Sequence, residues 1–78
     1  MNVLPRRDGS AVKRERMRQM YAMLCGAGDI SLSRFLAACS YTIGLSDRTT
    51  LKYLRDLEAL DLIEVDEDND VVREVVKE

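Results

Sequence analysis

Three basic residues, Arg48, Lys52 and Arg55, recur along the segment 46–60 at spacings of four and three residues. Residues at these spacings lie on one face of an α-helix, so the three side chains are expected to form a positively charged stripe. A guanidinium group can pair with the edge of guanine or with a phosphate, and an ammonium group can contact either. These residues are therefore the best candidates in the chain for contacting an anionic ligand.

A leucine stripe indicates how such a helix would be held. Ser46 can cap the helix through its hydroxyl, and Asp47 places a negative charge at the positive end of the helix dipole. The helix is expected to stop near Asp61, and Leu62–Val65 is expected to be a strand. The apolar stripe on the buried side comprises Leu51, Leu54 and Leu57.

Two further helices and two short strands are predicted around this segment. Helical spacing of apolar residues predicts helix 1 over about 11–25, with Ser10 or Asp8 as its cap, and helix 2 after Ser31 up to Gly44. Residues 29–31 fit a short first strand. The β-branched run 71–76 and the strand before it are separated by a polar turn, 66–70, which predicts a hairpin.

The segment TLKYLRDLEALDLI, residues 50–63, resembles the recognition helix and first wing strand of winged helix-turn-helix regulators. The chain departs from the family pattern at Asp61, where the family usually has glycine, but Asp tolerates the left-handed conformation better than most residues. Residues 40–46 are similar to the longer turn of many archaeal members. The resemblance implies a mostly helical α+β winged helix-turn-helix domain over residues 11–78, with three helices and a two-stranded β-hairpin wing.

By the same resemblance, the protein is expected to be a sequence-specific, duplex DNA-binding transcription regulator that inserts helix 46–60 into the major groove. Tyr53 lies at the flank of the leucine stripe, so it is expected either to pack at the core edge or to touch the duplex backbone. Residues 1–10 are expected to form a flexible basic arm before the domain. The candidate DNA-binding residues are Ser46, Arg48, Thr49, Lys52, Tyr53, Arg55, Arg6, Arg7 and Arg14.

A homodimer is expected, because one small recognition helix seldom supplies enough affinity and specificity alone. Helix 1 is the best candidate for the dimer surface. The alternative for the basic stripe is a solvated face in which Lys52 pairs with Asp56.

Charge is divided sharply along the chain. Residues 1–55 contain ten Lys/Arg and four Asp/Glu, whereas residues 56–78 contain two and ten, so the first part carries +6 and the second −8. The predicted wing is therefore acidic and would repel the phosphates of a duplex. This feature supports a second interpretation, a protein-interaction winged helix that uses helix 1 and the acidic wing within a larger complex.

Other kinds of chemistry find little support in the sequence. The chain has no histidine and no glycine-rich phosphate loop, so neither an enzyme nor a cofactor or small-molecule substrate is expected. The alternating acids in 66–70 lack the glycine and glutamate of a calcium loop, so no metal is expected. Cys25 and Cys39 are expected to be small buried hydrophobes. Because no apolar run approaches a membrane span and no signal pattern is present, a cytoplasmic protein without membrane contact is expected.

Overall fold

The computed structural model describes residues 8–76. These residues form three helices and a three-stranded antiparallel sheet with strand order β1-β3-β2. In chain order the elements are α1 (Asp8–Leu24), β1 (Ile30–Ser31), α2 (Leu32–Thr42), α3 (Asp47–Ala59), β2 (Ile63–Asp66) and β3 (Val71–Glu74). This arrangement is a small α+β domain whose layout is compatible with a winged helix.

One hydrophobic core joins the three helices to the sheet. Each helix places its predicted apolar face inward, and the sheet contributes the inner face of its central and edge strands. Cys39 lies in this core, and burial raises the pKa of its thiol to about 11. The side chains that are at most 3% exposed are Met20, Leu24, Phe35, Cys39, Leu45, Thr50, Leu54, Leu57, Ile63 and Val72.

The predicted helix ends are explained by local geometry. Ser31 caps α2, with its Oγ accepting the backbone N–H of Arg34 at 3.3 Å. Gly44, with φ of 84°, ends the turn after α2, where a side chain would be strained. Asp61, with φ of 62°, adopts the left-handed conformation after α3, which is the conformation that the resemblance implied at this position.

The turn between β2 and β3 is tied to the start of α2. The Asp70 carboxylate accepts hydrogen bonds from Ser31 Oγ at 2.7 Å, Ser33 Oγ at 2.8 Å and the Ser33 backbone N–H at 2.9 Å. The Asp70 carbonyl also accepts the Leu32 N–H at 3.0 Å. Asp70 therefore satisfies free N–H groups in the first turn of a helix that is distant in sequence.

Three sequence expectations differ from the structure. Helix α1 begins at Asp8 rather than Ala11, so residues 8–10 of the predicted basic arm belong to the helix. Residues 1–7 of that arm lie outside the described residues. The hairpin strands are shifted or shortened by one or two residues. Cys25 is exposed rather than buried, because it follows the last residue of α1 and leaves the apolar face of that helix.

We predict that Asp70→Asn lowers the thermal unfolding midpoint, because an amide presents one acceptor oxygen where the carboxylate presents two. Asn also tolerates the positive φ of 56° at this position. Asp68→Asn, which removes the same charge from the same turn, is the control and should leave the midpoint close to wild type.

The Asp70 contacts also predict a pH dependence. Hydrogen bonds from Ser31 and then Ser33 hold the pKa of the Asp70 carboxyl below its usual 3.8. The stabilisation is therefore complete above pH 3.8 and is lost as the pH falls through the lower folded-state pKa. The midpoint difference between wild type and Asp70→Asn should shrink below that pH in circular dichroism melts; a difference that is constant with pH would contradict this role.

Candidate nucleic-acid interface

Helix α3 has a buried side and a basic side. Leu54 is 0% and Leu57 3% exposed, and both pack in the core. Arg48, Lys52 and Arg55 are exposed on the opposite side, where the sequence predicted a positively charged stripe. Because the leucine side cannot turn outward without exposing the core, the basic side is held toward solvent.

Arg48 and Lys52 are the accessible cations of this stripe. Within residues 11–76, neither side chain takes part in an ion pair. The Lys52–Asp56 pair of the alternative interpretation is absent from the described residues. Asp56 instead accepts Lys13 Nζ of α1 at 2.7 Å, which raises the pKa of that lysine. Lys52 therefore presents an unpaired ammonium group among the described residues.

The first turn of α3 uses its hydroxyl groups internally. Ser46 Oγ accepts the backbone N–H of Thr49 at 3.2 Å and donates to Thr49 Oγ1 at 3.0 Å. Thr50 is buried, and its Oγ1 donates to the Ser46 carbonyl at 2.9 Å. Ser46 and the half-buried Thr49 therefore have a structural role in capping the helix, which limits what their hydroxyls can offer to a ligand.

Arg55 differs from the other two cations because it contacts the acidic turn. Its guanidinium donates to the Glu67 carboxylate, and the two partners are 65% and 52% exposed. The acidic turn therefore lies beside the C-terminal half of α3. The positive charge of the stripe is partly neutralised there and is strongest around Arg48 and Lys52.

The other predicted contact residues are placed in three different ways. Tyr53 is half-buried and packs against the core, and Lys13 Nζ lies 5.6 Å from its ring centroid. Of the two positions that the sequence left open for Tyr53, the structure shows the one at the core edge. Arg14 lies on α1 beside Leu57 and Leu60, at the other end of α3. Arg6 and Arg7 lie outside the described residues.

Most acids of the hairpin have partners within the domain, and sequence reasoning missed these contacts. Arg73 bridges Asp29 at 2.9 Å and Glu64 at 2.8 Å, and the bond to Arg73 lowers the pKa of Asp29. The carboxylate of Asp66 accepts the side-chain amide of Asn69 at 2.8 Å. The predicted hairpin is the sequence signal that bears on these contacts, because pairing of its two strands places Glu64 opposite Arg73.

Comparison of the chain with protein-family models, curated proteins and solved structures finds no match. No helix among residues 8–76 combines the length and apolarity needed to cross a bilayer. The same residues contain no cluster of three or more His, Cys, Asp or Glu side chains suited to a metal ion.

The division of α3 into two sides predicts that substitutions on the buried side lower stability far more than substitutions on the basic side. Leu54→Ala should lower the free energy of unfolding by about 2–5 kcal/mol, because it leaves a cavity in the core. Arg48→Ala and Lys52→Ala should each change it by less than about 0.5 kcal/mol, since surface substitutions usually do. Urea unfolding followed by circular dichroism measures both, and a large loss from either surface variant would contradict the assigned sides.

Proposed function

We propose that the protein is a winged helix-turn-helix transcription regulator that binds duplex DNA, in a sequence-specific way, through the N-terminal half of α3. The observation that carries this proposal is the pair of exposed cations, Arg48 and Lys52, on a helix whose opposite side is buried. The element order of helix, strand, helix, helix and hairpin supports it.

The dimensions of α3 suit this role. An α-helix fits the major groove of B-DNA, and its N-terminal residues are the ones that usually reach base edges. Arg48 lies in the first turn, where a bidentate contact to guanine would supply specificity. Lys52, one turn further on, would contact guanine or a phosphate.

The acidic hairpin restricts the proposed footprint. Glu67 lies against Arg55, and Asp68 is exposed beside it in the same turn. Phosphates approaching the C-terminal half of α3 would meet these carboxylates and be repelled. The duplex is therefore expected to engage the start of α3 while the hairpin tip remains outside the interface.

The double variant Arg48→Ala, Lys52→Ala should weaken binding to a labelled duplex and lower its dependence on salt. Each phosphate contact that is lost reduces the slope of log K against log salt by about 0.9. Fluorescence anisotropy titrations at two or more salt concentrations measure both quantities.

Arg16→Ala, Arg34→Ala is the matched control, because it removes the same charge from exposed or half-exposed positions on α1 and α2. It should bind more tightly than the Arg48, Lys52 variant. Equal losses in the two double variants would point to nonspecific charge attraction. Absence of binding by wild type at low salt would instead favour the protein-interaction module that uses α1 and the acidic hairpin.

Glu67→Gln should strengthen DNA binding, because it removes a repulsive charge and also releases Arg55. Asp68→Asn is the control for charge alone, since Asp68 has no ion pair among residues 11–76. The same titrations should show a larger gain for Glu67→Gln than for Asp68→Asn. An equal gain would mean that the release of Arg55 contributes nothing.

A further inference from the structure

An apolar groove lies between α1 and the C-terminal end of α3, away from Arg48 and Lys52. Its walls are formed by Met17 and Tyr21 of α1, Leu57 of α3 and Leu62 before β2. Leu60 stands at its edge and is 61% exposed, although the leucines on either side of it, Leu57 and Leu62, are buried or half-buried.

The rim of this groove is charged in a complementary way. Arg14 and Arg18 are exposed along its α1 side. Arg18 donates to Glu15 at 2.7 Å, whereas Arg14 makes no ion pair among residues 11–76. Asp61 follows Leu60 directly, is exposed, and is fixed in the left-handed conformation. The same surface therefore presents the exposed Leu60 beside the Asp61 carboxylate, and an apolar groove beside Arg14.

We propose that this surface is the contact between two copies of the chain. In a two-fold arrangement, Leu60 of each copy enters the groove of the other, and Asp61 meets the partner's Arg14. Such a contact is self-complementary, as the interface of a symmetric dimer must be, because each copy supplies both the leucine with its acid and the groove with its arginine. Burial of exposed leucine supplies the driving force, and the charge pair fixes the orientation.

The proposed contact leaves the basic end of α3 free in both copies. Leu60 is twelve residues from Arg48, which corresponds to roughly 18 Å along the helix. The contact does not depend on the proposed DNA binding. If both hold, the dimer would present two basic helix ends related by a two-fold axis, as a symmetric operator requires.

Sedimentation equilibrium without DNA tests the proposal on the whole chain. Wild type should be dimeric in the micromolar range, and Leu60→Asp should raise the dimer dissociation constant by roughly 30-fold or more, as loss of a central contact residue does. Tyr41→Asp is the matched control, because it places a carboxylate at another large exposed residue, 94% exposed on α2. That variant should remain a dimer, and far-ultraviolet circular dichroism should show both variants folded.

The charge pair is tested by a cycle of Arg14→Ala, Asp61→Asn and the double variant. Each single substitution should weaken the dimer, and the double should weaken it by less than the product of the two effects. Asn is used because it also tolerates the positive φ of 62° at position 61. A monomeric wild type, or a Leu60→Asp protein as dimeric as Tyr41→Asp, would overturn the proposal. Because no DNA is present in this experiment, neither result bears on the DNA-binding proposal, which the anisotropy titrations test.

Discussion

The burial of the leucine side of α3 is the constraint on which the rest of the molecule depends. Leu54 and Leu57 lie in the core that joins α3 to α1, α2 and the sheet. Because these leucines are buried, the helical repeat places Arg48, Lys52 and Arg55 on the opposite face, where they are exposed to solvent. The packing that stabilises the domain therefore also orients the basic side chains, so one helix links stability to the proposed function.

The acidic second half of the chain stabilises the domain through specific contacts, in addition to its electrostatic effect. Much of the acidic second half is used within the domain: Asp70 caps α2, Glu67 holds Arg55, and Glu64 faces Arg73. These contacts connect the hairpin to α2 and to α3, and they link its two strands to each other. The acidic turn is consequently a fixed part of the domain surface. Because it lies beside the C-terminal half of α3, the accessible positive charge of this helix is confined to its N-terminal half.

The sequence predicted the features that depend on local periodicity and capping. The apolar stripes and the caps at Ser31 and Ser46 follow from residue type and spacing, whereas the left-handed conformation of Asp61 was implied by the family resemblance. Partners distant in sequence could not be predicted in this way. The Asp70 contacts span 37 or more residues, and Asp56 pairs with Lys13 on another helix rather than with its helical neighbour. Because several partners were geometrically possible for each of these charges, only the tertiary structure selects among them.

The most direct test of the account is a map of amide chemical shifts as duplex DNA is added to the isotopically labelled protein. If α3 is the contact, the largest changes should fall on residues 46–52 and decline toward the C-terminal end of the helix. The turn 66–70 and the groove beside Leu60 should change little. Changes concentrated in that turn or on α1, with residues 46–52 unaffected, would contradict the account.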